Sequence, residues 1–215
     1  MSVATERPAV AGLQAREELL SKLSPGPGKT AAEVAENQRV RIHRAMIDIV
    51  GERGYEAVTI RELAQVAGVS SRACYENFTS KEECFLRTHE GVGKRILRHV
   101  ASAESHAGDA EGRLRLIFEA FAGELARDPR AARLFLVEPY VAGPEAVRQL
   151  RGAMRVLQSR VAASFVLSPG EGEFPEQVIE AVVAGAEGVA RAMLCAGRER
   201  ELASLGDSLE QWALR

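Results

Sequence analysis

The residues Gly28, Lys29 and Thr30 match the end of a phosphate-binding loop, which would bring nucleotide chemistry to this chain. Such a loop needs another glycine five positions before Gly28, but Leu23 occupies that position and no apolar strand precedes it. The sequence also offers no paired nucleophile and general base and no cluster of metal-ligating residues. We therefore expect a protein that is not an enzyme and that carries no cofactor and no metal.

The composition favours helices over strands. Of the 215 residues 5% are aromatic, while alanine, leucine, glutamate and arginine are abundant. Straight-chain residues lose little rotamer freedom in a helix, so this mixture predicts an all-α fold. The formal net charge is -2 at pH 7, and binding to a nucleic acid would therefore depend on a local basic surface.

The cysteines and the apolar segments indicate the cellular compartment of the protein. Cys74, Cys84 and Cys195 form neither a CxxC pair nor an even disulfide framework, which is typical of free thiols in a reducing compartment. The N-terminal residues lack a basic region followed by an apolar core, and no apolar run approaches the roughly 18 residues of a membrane span. We expect a soluble, cytoplasmic protein without a membrane partner.

Apolar spacing and capping residues predict four helices between residues 42 and 103. The first has an apolar stripe from Ile42 to Val50 and ends at Gly54. The predicted N-caps of the next three helices are Thr59, Ser70 and Ser80. Gly68 supplies the positive φ of a sharp turn between the second and third helices. This spacing lets the two helices cross steeply and leaves the third free to enter a DNA major groove.

Residues 39–90 resemble the DNA-binding module of the TetR family of bacterial transcription regulators. The matching positions are Gly54-Tyr55, Thr59-Ile60-Arg61-Glu62-Leu63-Ala64, Ala67-Gly68-Val69-Ser70, Tyr75, Phe78 and Ser80-Lys81-Glu82-Glu83. The resemblance implies an N-terminal three-helix helix-turn-helix module, joined by a long helix to a C-terminal helical domain for ligand binding and dimerisation. It also implies a homodimeric repressor on a palindromic double-stranded DNA operator, released by a small-molecule effector.

By the same resemblance, the third helix is the recognition helix. Its outward residues, expected to contact DNA, are Ser71, Arg72, Ala73, Tyr75 and Asn77. Arg72 is the expected base reader, because a guanidinium can bond both major-groove acceptors of guanine. Thr59 and Lys81 head helices whose dipoles favour phosphate. Arg39, Arg41 and Arg44, with Lys29 upstream, are expected to form a basic arm over the DNA backbone or minor groove.

Three residues of the recognition helix leave alternatives open. Glu76 either accepts a hydrogen bond from a cytosine amino group or faces away from DNA. Tyr75 has an apolar body and a polar tip, so it can contact DNA, pack against the first helix, or do both. Cys74 is interpreted as a small buried apolar residue rather than as a redox switch.

The remaining residues predict five helices, near residues 111–127, 129–138, 144–167, 175–197 and 199–214. Family resemblance suggests a cavity for an apolar or amphipathic effector, with candidate lining residues Phe118, Phe121, Phe135, Met154 and Leu157. The last two helices carry apolar stripes that either pack within one chain or form a dimer interface. The candidate interface residues are Val182, Gly185, Val189, Leu202, Leu205, Leu209 and Trp212.

The sequence thus predicts three parts: a flexible extension over residues 1–35, a helix-turn-helix domain over 36–85, and an effector and dimerisation domain over 86–215. Two functional interpretations remain. The protein is either a regulator that responds to an effector or a constitutive DNA-binding dimer. A cavity in the last part would favour the former, and a solid core the latter.

Overall fold

The computed structural model describes residues 30–166, 176–206 and 208–209. All secondary structure in these residues is helical, which confirms the predicted all-α class. The chain divides into two compact units, one of residues up to 46 together with 58–84, and one of 47–57 together with residues from 85 onward. Within the described ranges, each helix is too short or too polar to cross a lipid bilayer. The domain boundaries at residues 35 and 85 stay predictions.

The first helix, α1 (Ala31–Arg53), begins well before the apolar stripe that predicted it. Its start is a capping box, in which the Glu33 amide donates to Thr30 Oγ1 at 3.2 Å and the Thr30 amide donates to Glu33 Oε2 at 2.7 Å. Helix α1 therefore includes residues 31–35, which the sequence analysis assigned to the N-terminal extension. The rest of that predicted extension, up to residue 29, lies outside the described residues.

Two short helices follow in the first unit, α2 (Ile60–Ala67) and α3 (Ser71–Asn77). The predicted N-caps Thr59 and Ser70 are confirmed, since each side-chain oxygen accepts a hydrogen bond from the amide three residues further on. These caps satisfy amides that have no partner within the helix.

The second unit is built mainly from six helices and a 3₁₀ helix. They are α4 (Lys81–Glu104), α5 (Ala110–Arg127), α6 (Pro129–Leu136), α7 (Pro139–Ala142), α8 (Pro144–Val166), α9 (Glu176–Cys195) and the 3₁₀ helix Glu199–Ser204. Residues 81–84 of α4 belong to the first unit. Helix α5 packs against α6, α8 and the 3₁₀ helix, and α9 packs against α6 and α8. The four-residue helix α7 was not predicted, because it is too short to show a periodic apolar pattern.

Within the second unit, the end of α1 packs tightly against the start of α6. A Cβ atom added to Gly51 would lie 2.4 Å from the Cβ and 2.8 Å from the Cα of Arg130. The Arg130 guanidinium also forms ion pairs with Asp48 and Glu52, both on α1. Because the backbone of α6 lies so close, only glycine fits at this position of α1.

Replacing Gly51 with alanine tests this contact. We expect Gly51→Ala to lower the free energy of unfolding by about 1–3 kcal/mol, because the new methyl group would overlap Arg130. Gly91→Ala in α4 is the matched control, since a Cβ there meets no atom within 4 Å. Helix propensity predicts that this control gains about 0.5–1 kcal/mol. Urea unfolding measures both, and a Gly51→Ala protein as stable as the parent would contradict the close packing.

Candidate functional site

The turn between α2 and α3 sets the direction of α3. Gly68 has a φ of 62°, in the left-handed region that glycine adopts without steric cost. The Gly68 amide donates to the Gln65 carbonyl at 3.1 Å, and the Val69 amide donates to the Ala64 carbonyl at 3.0 Å. This pair of bonds is a Schellman motif, which ends a helix and fixes the path of the chain that leaves it.

Arg41 of α1 is buried and lies beside this turn. Its Nη2 atom contacts the carbonyl oxygen of Ala67 and donates to that of Gly68 at 2.8 Å. The expectation that Arg41 belongs to an exposed basic arm is wrong, because these carbonyls at the end of α2 draw the guanidinium inward. Two residues further along α1, the ring of His43 packs edge-on against Phe78 with 5.3 Å between centroids.

Helix α3, the predicted recognition helix, presents a polar outer face. Ser71 and Arg72 are exposed, and Tyr75 is 61% exposed. Ala73 is only 7% exposed, so its prediction as an outward residue is wrong. Its side chain lies on the inner face of α3. Asn77 is half-buried, and its side-chain amide donates to the Ala73 carbonyl at 2.7 Å, which leaves it less able to reach DNA.

Arg72 has a partner within α3. Its Nε donates to Glu76 Oε1 at 2.8 Å, one helical turn away. This hydrogen bond and the nearby negative charge raise the pKa of the Arg72 guanidinium. A solvated pair of this kind is weak, and the guanidinium has five N–H donors, so Arg72 can still donate to a base. Pairing with Arg72 within α3 is thus a third role for Glu76, besides the two alternatives of contacting cytosine and facing away from DNA.

The eight predicted DNA contacts all belong to the first unit. Thr59 is exposed at the N-terminus of α2, whereas Lys81 at the start of α4 and Arg44 on α1 are half-buried. The N-terminus of α4 is also capped by a carboxylate, since the Thr79 amide donates to Glu83 Oε2 at 2.6 Å. A phosphate near this terminus would therefore meet a negative charge as well as the Lys81 ammonium group.

In the second unit, the five candidate effector residues are all buried. Phe118 and Phe121 lie on α5, Phe135 lies on α6, and Met154 and Leu157 lie on α8. Helix α5 packs against both α6 and α8, so the structure brings these three helices together. Their role in holding an effector stays a prediction.

His89 is a buried polar residue beside this group, and the sequence analysis missed it. Its ring stacks on Phe135 at 4.9 Å, and its Nε2 donates to the Phe135 carbonyl at 3.1 Å. Its Nδ1 lies 3.2 Å from the side-chain amide of Gln149 on α8. Burial lowers the pKa of the His89 imidazole, so the ring is neutral at pH 7. A single histidine carries no spacing signal, and only the fold identifies its partners.

The expected dimer interface needs correction. Four of its residues are buried by their own chain: Val182, Leu202, Leu205 and Leu209. The segment after α9 packs on α5 so closely that a Cβ on Gly206 would lie 3.0 Å from the Cα of Glu119. These apolar stripes therefore do not require a second copy to cover them. Gly185 is half-buried, Val189 is 44% exposed, and Trp212 lies outside the described residues.

Comparison with known proteins agrees with the geometry of the first unit. Residues 44–88 match the family model described as bacterial regulatory proteins of the tetR family. The HTH-type transcriptional activator FasR of Mycolicibacterium smegmatis is 30% identical over 118 residues, which cover 55% of this chain and 54% of that protein. Residues 44–88 thus form a domain of the tetR family. The matched part spans about half the length of this curated relative.

Solved structures of TetR-like proteins share the fold. The fatty acid degradation regulator FadR from Bacillus halodurans has a TM-score of 0.73 and 18% identity, covering 88% of this chain and 95% of that one. FadR from Bacillus subtilis, in complex with stearoyl-CoA, has a TM-score of 0.66 and 17% identity, covering 80% and 95%. A TetR-like regulator from Rhodococcus sp. RHA1 has a TM-score of 0.65 and 20% identity, covering 82% and 95%. All three are named as regulators.

Two substitutions separate base reading from phosphate contact in this protein. With an operator selected from random-sequence DNA, we expect Arg72→Ala to cost about 1–3 kcal/mol of binding free energy and to relax preference at one position per half-site. We expect Lys81→Ala to weaken binding to all sequences alike and to reduce the salt slope by about one. Fluorescence anisotropy at several salt concentrations measures both effects. An equal loss of specificity in the two variants would overturn these roles.

Proposed function

We propose that this TetR-family protein is a cytoplasmic transcriptional repressor that binds a palindromic operator as a homodimer and is released by an amphipathic small molecule. The observation that carries the proposal is the exposed polar face of α3, held by the Gly68 turn within the segment that matches the family model. Ser71, Arg72 and Tyr75 supply this face with donors suited to base edges and phosphates.

The proposed dimer surface is the exposed face of α9 together with the adjoining face of α8. Three exposed valines lie on these helices, Val156 on α8 and Val178 and Val189 on α9. On α9, small exposed residues accompany them, including Ala181 and Ala192, and these allow a second helix to approach closely. Since α8 packs against α9 in one chain, two copies would form a four-helix interface.

A charge placed on this surface tests the proposed dimer. We expect Val189→Glu to convert the dimer into a monomer, because an unpaired carboxylate would be buried between the two copies. Val66→Glu is the matched control, since this valine is 51% exposed on α2 and far in sequence from α8 and α9. Light scattering at micromolar concentration measures the mass. A monomeric parent protein, or a Val189→Glu protein that stays dimeric, would contradict the proposed surface.

We further propose that the effector is a long-chain acyl-CoA. The support is the fold shared with the Bacillus subtilis FadR, whose structure was determined with stearoyl-CoA, and the bulky apolar residues of α5, α6 and α8. An acyl chain needs an apolar enclosure of this kind, with a few polar groups to orient the thioester. The polar groups near Phe135 are the buried His89, which donates to the Phe135 carbonyl, and the half-buried Gln149, which contacts His89.

Release would follow from a change in the spacing of the two recognition helices. Helix-turn-helix dimers read half-sites about 34–36 Å apart, or a multiple of this distance, so a shift of a few ångströms misaligns one helix. Helix α4 is the proposed lever, since it starts at Lys81 and includes His89. We propose repression because a dimer that leaves its operator frees the DNA for polymerase. The relative FasR is named an activator. A reporter gene fused to the selected operator therefore decides between repression and activation.

The effector and the operator should oppose each other's binding. We expect stearoyl-CoA to weaken operator affinity by about 5–150-fold, and by linkage the operator must weaken stearoyl-CoA binding by the same factor. Titrating stearoyl-CoA into free and operator-bound protein measures both arms, with free coenzyme A as the control for the head group. Equal binding to both forms would contradict release. Operator binding that no acyl-CoA affects would favour the constitutive regulator.

A further inference from the structure

Arg41 is the only charged side chain that is buried among the described residues of the first unit, where it is 9% exposed. Burial of a guanidinium is costly unless hydrogen bonds replace its water. The carbonyl oxygens of Ala67 and Gly68, 26 and 27 residues away in sequence, supply such bonds. A buried charge that reaches this far connects α1 directly to the end of α2.

The position of these carbonyls explains why a cation is needed. The Schellman motif uses the carbonyls of Ala64 and Gln65, whereas Ala67 and Gly68 stand at the turn itself. The C-terminal end of a helix carries a partial negative charge, which a guanidinium stabilises. A Cβ on Gly68 would lie 2.5 Å from Arg41 Nη2, so a side chain at this position would displace the guanidinium from the carbonyls.

We infer that Arg41 is a positioning residue that fixes the direction of α3 and so determines the sequence specificity of DNA binding without touching DNA. The inference rests on the proposed function. Helix α1 holds α3 at both ends, through Arg41 at the turn before Ser71 and through the packing of His43 on Phe78 after Asn77. Base contacts tolerate displacements of only about 0.5 Å, whereas contacts to phosphates depend less on the direction of α3.

The test compares Arg41→Gln and Arg41→Lys with Arg53→Gln. Arg53 is the matched control because it is an exposed arginine at the other end of the same helix and has no place in the predicted DNA-binding surface. Each variant is first checked for parental helix content. Affinities are then measured for the selected operator and for an unrelated duplex of equal length, at several salt concentrations. Hydrogen exchange at the Gly68 and Val69 amides reports on the turn without DNA.

We expect Arg41→Gln to lose about tenfold in operator affinity, while its affinity for the unrelated duplex and its salt slope match the parent. Arg41→Lys should recover part of the loss, because an ammonium keeps the charge but stands on a shorter side chain than the guanidinium, whose Nη2 atom reaches both carbonyls. If Arg41→Gln does not fold, the operator preference of Arg41→Lys carries the test. Arg53→Gln should keep the parental preference.

Two results would overturn the inference. An equal loss on both duplexes, with the salt slope reduced by about one, would make Arg41 a phosphate contact instead. Parental operator preference in both Arg41 variants would show that it positions nothing. If the parent protein shows no sequence preference, the proposed function is refuted. The hydrogen-exchange experiment then still tests the contact between Arg41 and the turn at Gly68. Faster exchange at Gly68 and Val69 in Arg41→Gln supports the connection, and unchanged exchange refutes it.

Discussion

The left-handed turn at Gly68 is the constraint on which the candidate DNA-binding surface depends. Its φ of 62° lets the chain turn from α2 into α3 within three residues, the last of which, Ser70, caps α3. Because α3 begins at a fixed point, its seven residues divide into an inner face with Cys74 and an outer face with Arg72. A shift of one residue would bury the guanidinium. The chemistry of the outer face is therefore a consequence of the turn.

The second unit relies on buried carboxylates that hold helices in place. Glu138 accepts a hydrogen bond from the Tyr55 amide at 2.8 Å and pairs with Arg133 at 3.3 Å, so it holds the turn after α1. Glu124 of α5 pairs with Arg95 of α4 at 2.7 Å. Removing one partner of such a pair is strongly destabilising, because the other charge is left buried. Any effector that moves α4 would have to preserve these pairs or replace them.

Local signals were the part of the fold that the sequence predicted well. The caps at Thr59 and Ser70 and the turn at Gly68 involve residues a few positions apart, so their pattern is visible in one chain. Ala73 was misplaced because a helix of two turns has too few apolar residues to define its inner face. The missed start of α1 was a local signal too, the box formed by Thr30 and Glu33.

Contacts between distant segments could not be read in the same way. The stripe of Leu202, Leu205 and Leu209 is visible in the sequence, but periodicity does not say whether α5 or a second copy covers it. Arg41 gives no sign that it will leave the solvent face for carbonyls 26 and 27 residues away. Fold class and DNA-binding module are thus predictable from pattern, whereas the interface and the positioning residue required coordinates.

The most direct test of the central claim is the symmetry of the DNA that the protein selects. Purified protein is incubated with a pool of random duplexes, and bound DNA is amplified and sequenced over several rounds. A homodimer with one recognition helix per chain predicts an inverted repeat whose half-site centres lie about 10–10.5 base pairs, or a multiple, apart. A pool that stays random, or a selected site without two-fold symmetry, would contradict this account.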